Sequence, residues 1–183
     1  MVGKGLSIGV SLAWATTAVV RCARAEFLFM HASIILDNLR SAHNVGAIFR
    51  TAEGAGVTRV LLVGHTPCPL DRFGRTQPEI AKTSLGASTM MSWEYFDTAA
   101  AALQAVNETR IIVVEQHERA ISYTALPSSE SVAFVFGNEV DGVSAPFLAA
   151  ADAIIEIPMS GAKESLNVAT TAGIILFHQR DGC

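Results

Sequence analysis

The chain has 183 residues, 50% of them hydrophobic and only 16% charged, which suits one globular domain with a buried core and leaves no room for a second full domain. Thirteen Lys and Arg stand against seventeen Asp and Glu, and the resulting acidic balance excludes a freestanding binder held to nucleic acid by bulk positive charge. Cys22, Cys68 and Cys183 are odd in number and unrelated in spacing, which excludes a disulfide framework or a zinc site and suits a reducing compartment.

Residues 1–30 precede any regular pattern. They carry Lys4, an apolar run from Leu6 to Val20, then Arg21 and Arg24, an outline shared by targeting segments. A targeting segment, an extra helix packed on the domain and a start at Met30 are the three readings. The last is preferred, because the alternating αβ pattern begins directly after Met30. The run is short of the roughly 20 residues a membrane span needs, so no membrane association and a cytoplasmic protein are expected.

From residue 31 onward, short aliphatic runs alternate with segments of helical period. Strands are expected at Ser33–Leu36, Arg59–Val63, Thr89–Ser92, Arg110–Glu115, Val132–Phe136 and Ala153–Ile157. Continuous apolar runs of this kind suit strands covered on both faces of a parallel sheet. Helices are expected at Asn44–Gly56, Pro78–Leu85, Tyr95–Asn107, Ala145–Ala150 and Leu166–Arg180. The fold class is therefore α/β, a mostly parallel sheet flanked by helices. No GxGxxG follows a strand and no GxxxxGK[ST] loop occurs, which disfavours dinucleotide oxidoreductases and nucleotide triphosphatases.

Ligands of open parallel sheets bind beyond the carboxyl ends of the strands, and three polar clusters follow apolar runs. In the first, Asn44 is a possible cap for the next helix, Gly46 lets something approach its first turn, and Arg50 lies further along it. The second, Gly137-Asn138-Glu139-Val140-Asp141-Gly142, brackets polar side chains with glycines, as a loop needs when its backbone touches a ligand. The third runs from Ile157-Pro158-Met159 to Ser165-Leu166-Asn167-Val168, where Ser165 or Asn167 can cap a long apolar helix. Each cluster also has a purely structural reading as a capped or tight loop. A further stretch, Gly64–Gly86, holds Arg72, Phe73, Arg75 and Lys82 and is either an RNA contact or a solvated connection. Between Asp37 and Lys82, where Arg40 also falls, basic residues outnumber acidic ones by six to four.

Taken together, the three clusters resemble the motifs of the SpoU (TrmH-like) ribose methyltransferases of the SPOUT superfamily. Asn44, Gly46 and Arg50 match Asn-x-Gly-x-x-x-Arg; Gly137, Glu139 and Gly142 match Gly-x-Glu-x-x-Gly; Ile157–Met159 and Ser165–Val168 match the third motif. The resemblance implies a C-terminal deep trefoil knot, a homodimer, S-adenosyl-L-methionine as cofactor and no metal. It implies a cofactor pocket formed by Glu115, Gln116, Gly137, Asn138, Gly142, Ile157, Met159 and Leu166. Asn44, Arg50, Glu139, Ser165 and Asn167 are implied to face the reacting ribose, and Arg40, Arg72, Arg75 and Lys82 are expected to meet RNA. The implied reaction is methylation of a ribose 2′-hydroxyl, expected in tRNA; the alternatives are the same reaction on rRNA, or a non-catalytic knotted RNA-binding protein. Many relatives carry an RNA-binding domain ahead of the first motif, and residues 1–30 are too few for one. Target recognition is therefore expected from the loops of residues 31–183 or from another protein. Arg50 is read as a phosphate grip that orients the hydroxyl, since a guanidinium with a pKa above ~12 is a poor base.

Overall fold

The computed structural model of the chain describes residues 31–107, 109–127 and 131–181. The readings placed on residues 1–30, and on Cys22 and Cys183, lie outside them.

Seven strands form one parallel sheet in the order β3-β2-β1-β6-β4-β7-β5. They are β1 (His31–Asp37), β2 (Arg59–Val63), β3 (Ser92–Phe96), β4 (Arg110–Val114), β5 (Ile121–Ser122), β6 (Ser131–Phe136) and β7 (Ala153–Glu156). The central strands are aliphatic at nearly every position because helices cover both faces. Ile34, Leu36, Val60, Leu62, Phe134 and Phe136 belong to one core, and Ile35, Leu61, Val63, Val113 and Val135 to the other.

The first core is closed by α1 (Ala42–Ala55), α2 (Pro78–Ser84), α3 (Ala87–Met90) and α6 (Val168–Asp181), through Ile48, Phe49, Ile80, Ala87, Ala172 and Ile175. The second is closed by α4 (Ala99–Gln104) and α5 (Ala145–Ala150), through Ala102 and Phe147. α1 ends on Gly56 at φ 82, with Gly56 N donating to Glu53 O and Val57 N to Ala52 O. This is the left-handed stop that glycine makes inexpensive.

Two expectations shift by several residues. The third strand is not Thr89–Ser92 but Ser92–Phe96, paired in parallel with β2 from Arg59↔Ser92 to Val63↔Phe96. Aromatic Trp93, Tyr95 and Phe96 fit an edge strand, while Ala87–Met90 takes a helical turn. The helix expected from Tyr95 accordingly starts at Ala99, where Thr98 accepts a hydrogen bond from Ala101 N. β5, a two-residue edge beside β7, carries no pattern that sequence reading could detect.

The glycine of the first cluster serves packing. A Cβ at Gly46 would strike the Thr83 hydroxyl and come within 2.7 Å of the Ile80 carbonyl oxygen. What approaches the start of α1 is therefore α2. Gly46→Ala is expected to lower unfolding stability by about 1–3 kcal/mol, the usual cost of overfilling a packed contact. Urea denaturation measures it, and an unchanged midpoint would contradict this reading of the α1–α2 contact.

Candidate active site

The strand order reverses between β1 and its neighbour β6: the chain runs outward through β2 and β3, then returns on the other side of β1, where β6 lies between β1 and β4. Loops leaving strands at such a reversal diverge and open a crevice. Here they line a cleft of about 540 Å³, within the ~300–1,000 Å³ typical of small-molecule sites. Glu115 and Gln116 enter from the end of β4, Gly137, Asn138, Glu139 and Gly142 from the end of β6, and Ile157 from the end of β7. Met159, Ser165, Leu166 and Asn167 complete the wall from the connection into α6.

The loop after β6 folds back on itself. Asn138 and Gly142 exchange backbone hydrogen bonds at 3.0 Å each, and the Asn138 Oδ1 accepts from Val140 N and Asp141 N at 2.8 and 3.1 Å. A side chain at Gly137 would collide with the backbone of Gly142 and Val143. Gly142 sits at φ 72, and a Cβ there would come within 2.5 Å of the Glu115 carboxylate. The Gly-x-Glu-x-x-Gly spacing thus marks a tight reversal with a glutamate carried on its outer turn.

Neighbouring strands anchor this reversal. Asp37, wholly buried at the end of β1, accepts from Ser144 N at 2.7 Å and from the Asn38 amide at 2.8 Å. Glu115 Oε2 accepts from Val143 N at 2.9 Å, and Asn138 Nδ2 donates to Asn38 O at 2.7 Å. Buried polar groups must find partners, and here those partners fix the loop. Sequence reading missed Asp37; its one signal is a carboxylate placed directly after an otherwise apolar strand.

The three clusters meet through side chains. Asn44 Nδ2 donates to Glu139 Oε1 at 2.9 Å, and Asn167 Nδ2 donates to Asn44 Oδ1 at 3.2 Å. Asn167 Oδ1 accepts from Ala169 N at 3.0 Å and Thr170 N at 3.4 Å, capping α6. The other Glu139 oxygen accepts from Arg40 N at 3.3 Å. Partial burial pushes the Glu139 carboxyl up. The hydrogen bonds from Asn44 and from backbone N–H groups outweigh that and hold it below the usual glutamate range.

Several expectations change. Asn44 is not the cap of α1: Ser41 is, accepting from Asn44 N at 3.2 Å, which frees the Asn44 amide for Glu139. Arg50 does not line the cleft. It is exposed on α1, and six residues of α-helix turn it roughly 120° from Asn44. Arg40 is paired with Asp141 at 2.9 Å, so its charge is already engaged. Arg72 and Arg75 lie together on a loop before α2, and Lys82 is exposed on α2. Glu164 and Thr171 line the cleft without having been singled out. α6 buries only one face: Ile175 and Leu176 face the core, while Ile174 is half-buried and Phe177 exposed. Among the described residues no cluster of His, Cys, Asp or Glu could hold a metal, and no helix is long and apolar enough to cross a membrane.

Comparison with known proteins extends these observations. The model of the SpoU rRNA Methylase family matches residues 31–177. The 23S rRNA (guanosine-2'-O-)-methyltransferase RlmB of Xylella fastidiosa is 32% identical over 145 residues, covering 79% of this chain and 56% of the relative. The chain thus spans little more than half that relative's length. Among solved structures, the AdoMet-bound rRNA methyltransferase from Sinorhizobium meliloti superposes with a TM-score of 0.74 at 26% identity, covering 83% of this chain and 56% of that one. The TrmH/SpoU tRNA modifying enzyme of A. aeolicus gives 0.71 at 25%, covering 82% and 74%. The family match takes in all three polar clusters and every strand that lines the cleft, and the chain belongs to the SpoU rRNA methylase family.

Proposed function

We propose that this chain transfers the methyl group of S-adenosyl-L-methionine to a ribose 2′-hydroxyl of RNA, with ribosomal RNA as the acceptor. The observation that carries the reading is the Glu139–Asn44–Asn167 chain of hydrogen bonds, which joins the cleft to the helix bearing Arg50. The choice of rRNA over the expected tRNA rests on the relatives: the one at 32% identity is named for 23S rRNA and the AdoMet-bound neighbour for rRNA. Neighbours named for tRNA stand at 25% or below. With that acceptor the expected place of work is the cytoplasm.

The residues present fit the cofactor. Ile157, Met159 and Leu166 offer an apolar wall for an adenosyl group, and the backbone of the reversal at Gly137, Asn138 and Gly142 lies open to the same space. Glu115 and Gln116 supply polar groups from the end of β4, which lies between β6 and β7. When bound, S-adenosyl-L-methionine supplies an electrophilic methyl on a sulfonium. The chain's own part is to align the acceptor. Glu139, with both oxygens engaged and its pKa lowered, is a weak base and serves to fix Asn44 and the loop. Ser165, exposed at the cleft wall, is placed beside the acceptor. Arg50 grips an RNA phosphate and so orients the hydroxyl, whose proton passes to water in the open cleft. We also take the chain to be a knotted homodimer. Its fold likeness to the family supports the knot, and the half-covered outer face of α6, with Ile174 and Phe177, supports the dimer.

Two outcomes follow. Arg50→Ala should abolish methyl transfer to rRNA while calorimetric affinity for S-adenosyl-L-methionine stays near that of the unaltered chain, because Arg50 lies outside the cleft. Retained turnover would remove Arg50 from the mechanism. The second concerns pH. Since folding lowers its pKa, ionised Glu139 favours the folded state above the ordinary glutamate value of about 4.3. That contribution disappears as the pH falls through the lowered folded value. Carboxyl NMR should show Glu139 titrating below about 4.3 and moving upward in Asn44→Ala; an unperturbed or raised value would contradict the hydrogen-bond assignment.

A further inference from the structure

Between β2 and α2 the chain makes a small excursion that neither core nor cleft uses. Leu70 and Thr76 form an antiparallel bridge, and Gln77 N donates to Pro69 O at 2.9 Å to close its base. The Asp71 carboxylate organises the interior. Its Oδ1 accepts from Phe73 N and Arg75 N at 2.8 and 2.9 Å, and its Oδ2 accepts from Arg75 Nε at 2.7 Å. Gly74, at φ 76, completes the reversal at the tip.

This frame presents a ring that the fold does not cover. Phe73 is 66% exposed, and the guanidinium carbons of Arg72 and Arg75 lie 4.8 and 5.1 Å from its centroid. Both distances fall within the ~6 Å of a cation–π contact, yet the ring stays 66% exposed, so the guanidinium groups flank it without burying it. An exposed phenyl contributes nothing to the core. A pre-ordered aromatic with an adjacent cation instead matches an unpaired nucleotide, whose base stacks on the ring while its phosphate meets the Arg72 guanidinium. Bases inside a duplex stack on one another and offer no such face.

The mounting of the hairpin relates it to the acceptor side of the site. Gln77 is the N-cap directly before α2, and Ile80, roughly 4.5 Å of helix rise further on, packs against Gly46 of α1. Gly46 lies two residues from Asn44 and four from Arg50 on the same helix. The α1–α2 contact thus carries the hairpin as a fixed arm of the element assigned to the ribose.

We propose that the Leu70–Thr76 hairpin is a stacking platform for an unpaired nucleotide of the RNA substrate, with Phe73 receiving the base and Arg72 a flanking phosphate, while Arg75, paired with Asp71 at 2.7 Å, holds the frame. This rests on the reading that the acceptor is RNA. It supplies recognition from the methyltransferase domain itself.

The test uses the full chain and a single-stranded RNA of about 12 nucleotides containing 2-aminopurine, whose fluorescence falls on stacking, alongside the same RNA annealed into a duplex. The chain should bind and quench the single strand in preference to the duplex. Phe73→Leu should weaken single-strand binding about tenfold or more, and Phe73→Trp should retain it. Asp71→Ala, which frees the hairpin but keeps the ring and both arginines, should weaken it as well. Affinity for S-adenosyl-L-methionine, unchanged in all three, would show that the fold is intact. No binding of the single strand, equal binding of single strand and duplex, or undiminished binding by Phe73→Leu would overturn the proposal; the last would leave the hairpin to a protein partner. Absence of methyl transfer by the unaltered chain would count against the proposed reaction, while these affinities would still decide the hairpin.

Discussion

The hydrogen bond from Asn44 to the Glu139 carboxylate is the contact on which the site depends, because it leaves its neighbours no freedom of orientation. An ionised carboxylate only accepts, so Asn44 must present its amide nitrogen to Glu139 and its oxygen to Asn167. Asn167 must then donate from nitrogen, and its oxygen is left for the N–H groups that open α6. Polarity runs in one direction from a carboxylate on the β6 loop, through α1, to the start of α6. Three segments far apart in sequence are thereby locked in one arrangement, and loss of the charge on Glu139 would release the constraint that orders the series.

That arrangement needs a loop able to hold Glu139 in place, and the loop is built under tight steric terms. The backbone reversal between Gly137 and Gly142 leaves no space for a side chain at the first glycine, and at the second a Cβ would press on Glu115. Carboxylates from two other strands, Asp37 and Glu115, take up the N–H groups of Ser144 and Val143 where the loop departs toward α5. The cleft wall and the Asn44 contact are therefore faces of a single element. A parallel sheet whose strand order reverses at β1 provides the crevice. No glycine-rich phosphate loop is involved, consistent with a cleft walled by aliphatic side chains and polar backbone.

Much of this was legible in the sequence, and the exceptions have physical causes. The inner strands read correctly because burial on both faces forces continuous aliphatic runs such as Val132–Phe136. The edge strands did not: Ser92–Phe96 alternates aromatic and polar residues, and Ile121–Ser122 is too short to show a period. All eight residues expected around the cofactor line one cleft, since motif residues at strand ends are brought together by the sheet itself. Asn44 was read as a cap because asparagine favours helix starts; Ser41, three residues earlier, takes that place. Gly46 was legible as a close approach, but the partner proved to be α2, information held in Ile80 and Thr83 rather than locally. The buried partnership of Asp37 with Ser144, 107 residues away, has no local signature at all.

The same fold leaves Arg50 outside the cleft and Arg40 bound to Asp141, so positive charge for the proposed RNA acceptor must be sought beyond the cleft walls, on the helices and the hairpin. This division suits an acidic chain, in which a few placed cations rather than a basic surface would meet the polymer. The most direct measurement is incubation of the full chain with methyl-labelled S-adenosyl-L-methionine and separately purified rRNA and tRNA, followed by mass-spectrometric nucleoside analysis. The account predicts a labelled 2′-O-methyl nucleoside from the rRNA; label on a base, or no ribose methylation in either pool, would contradict it.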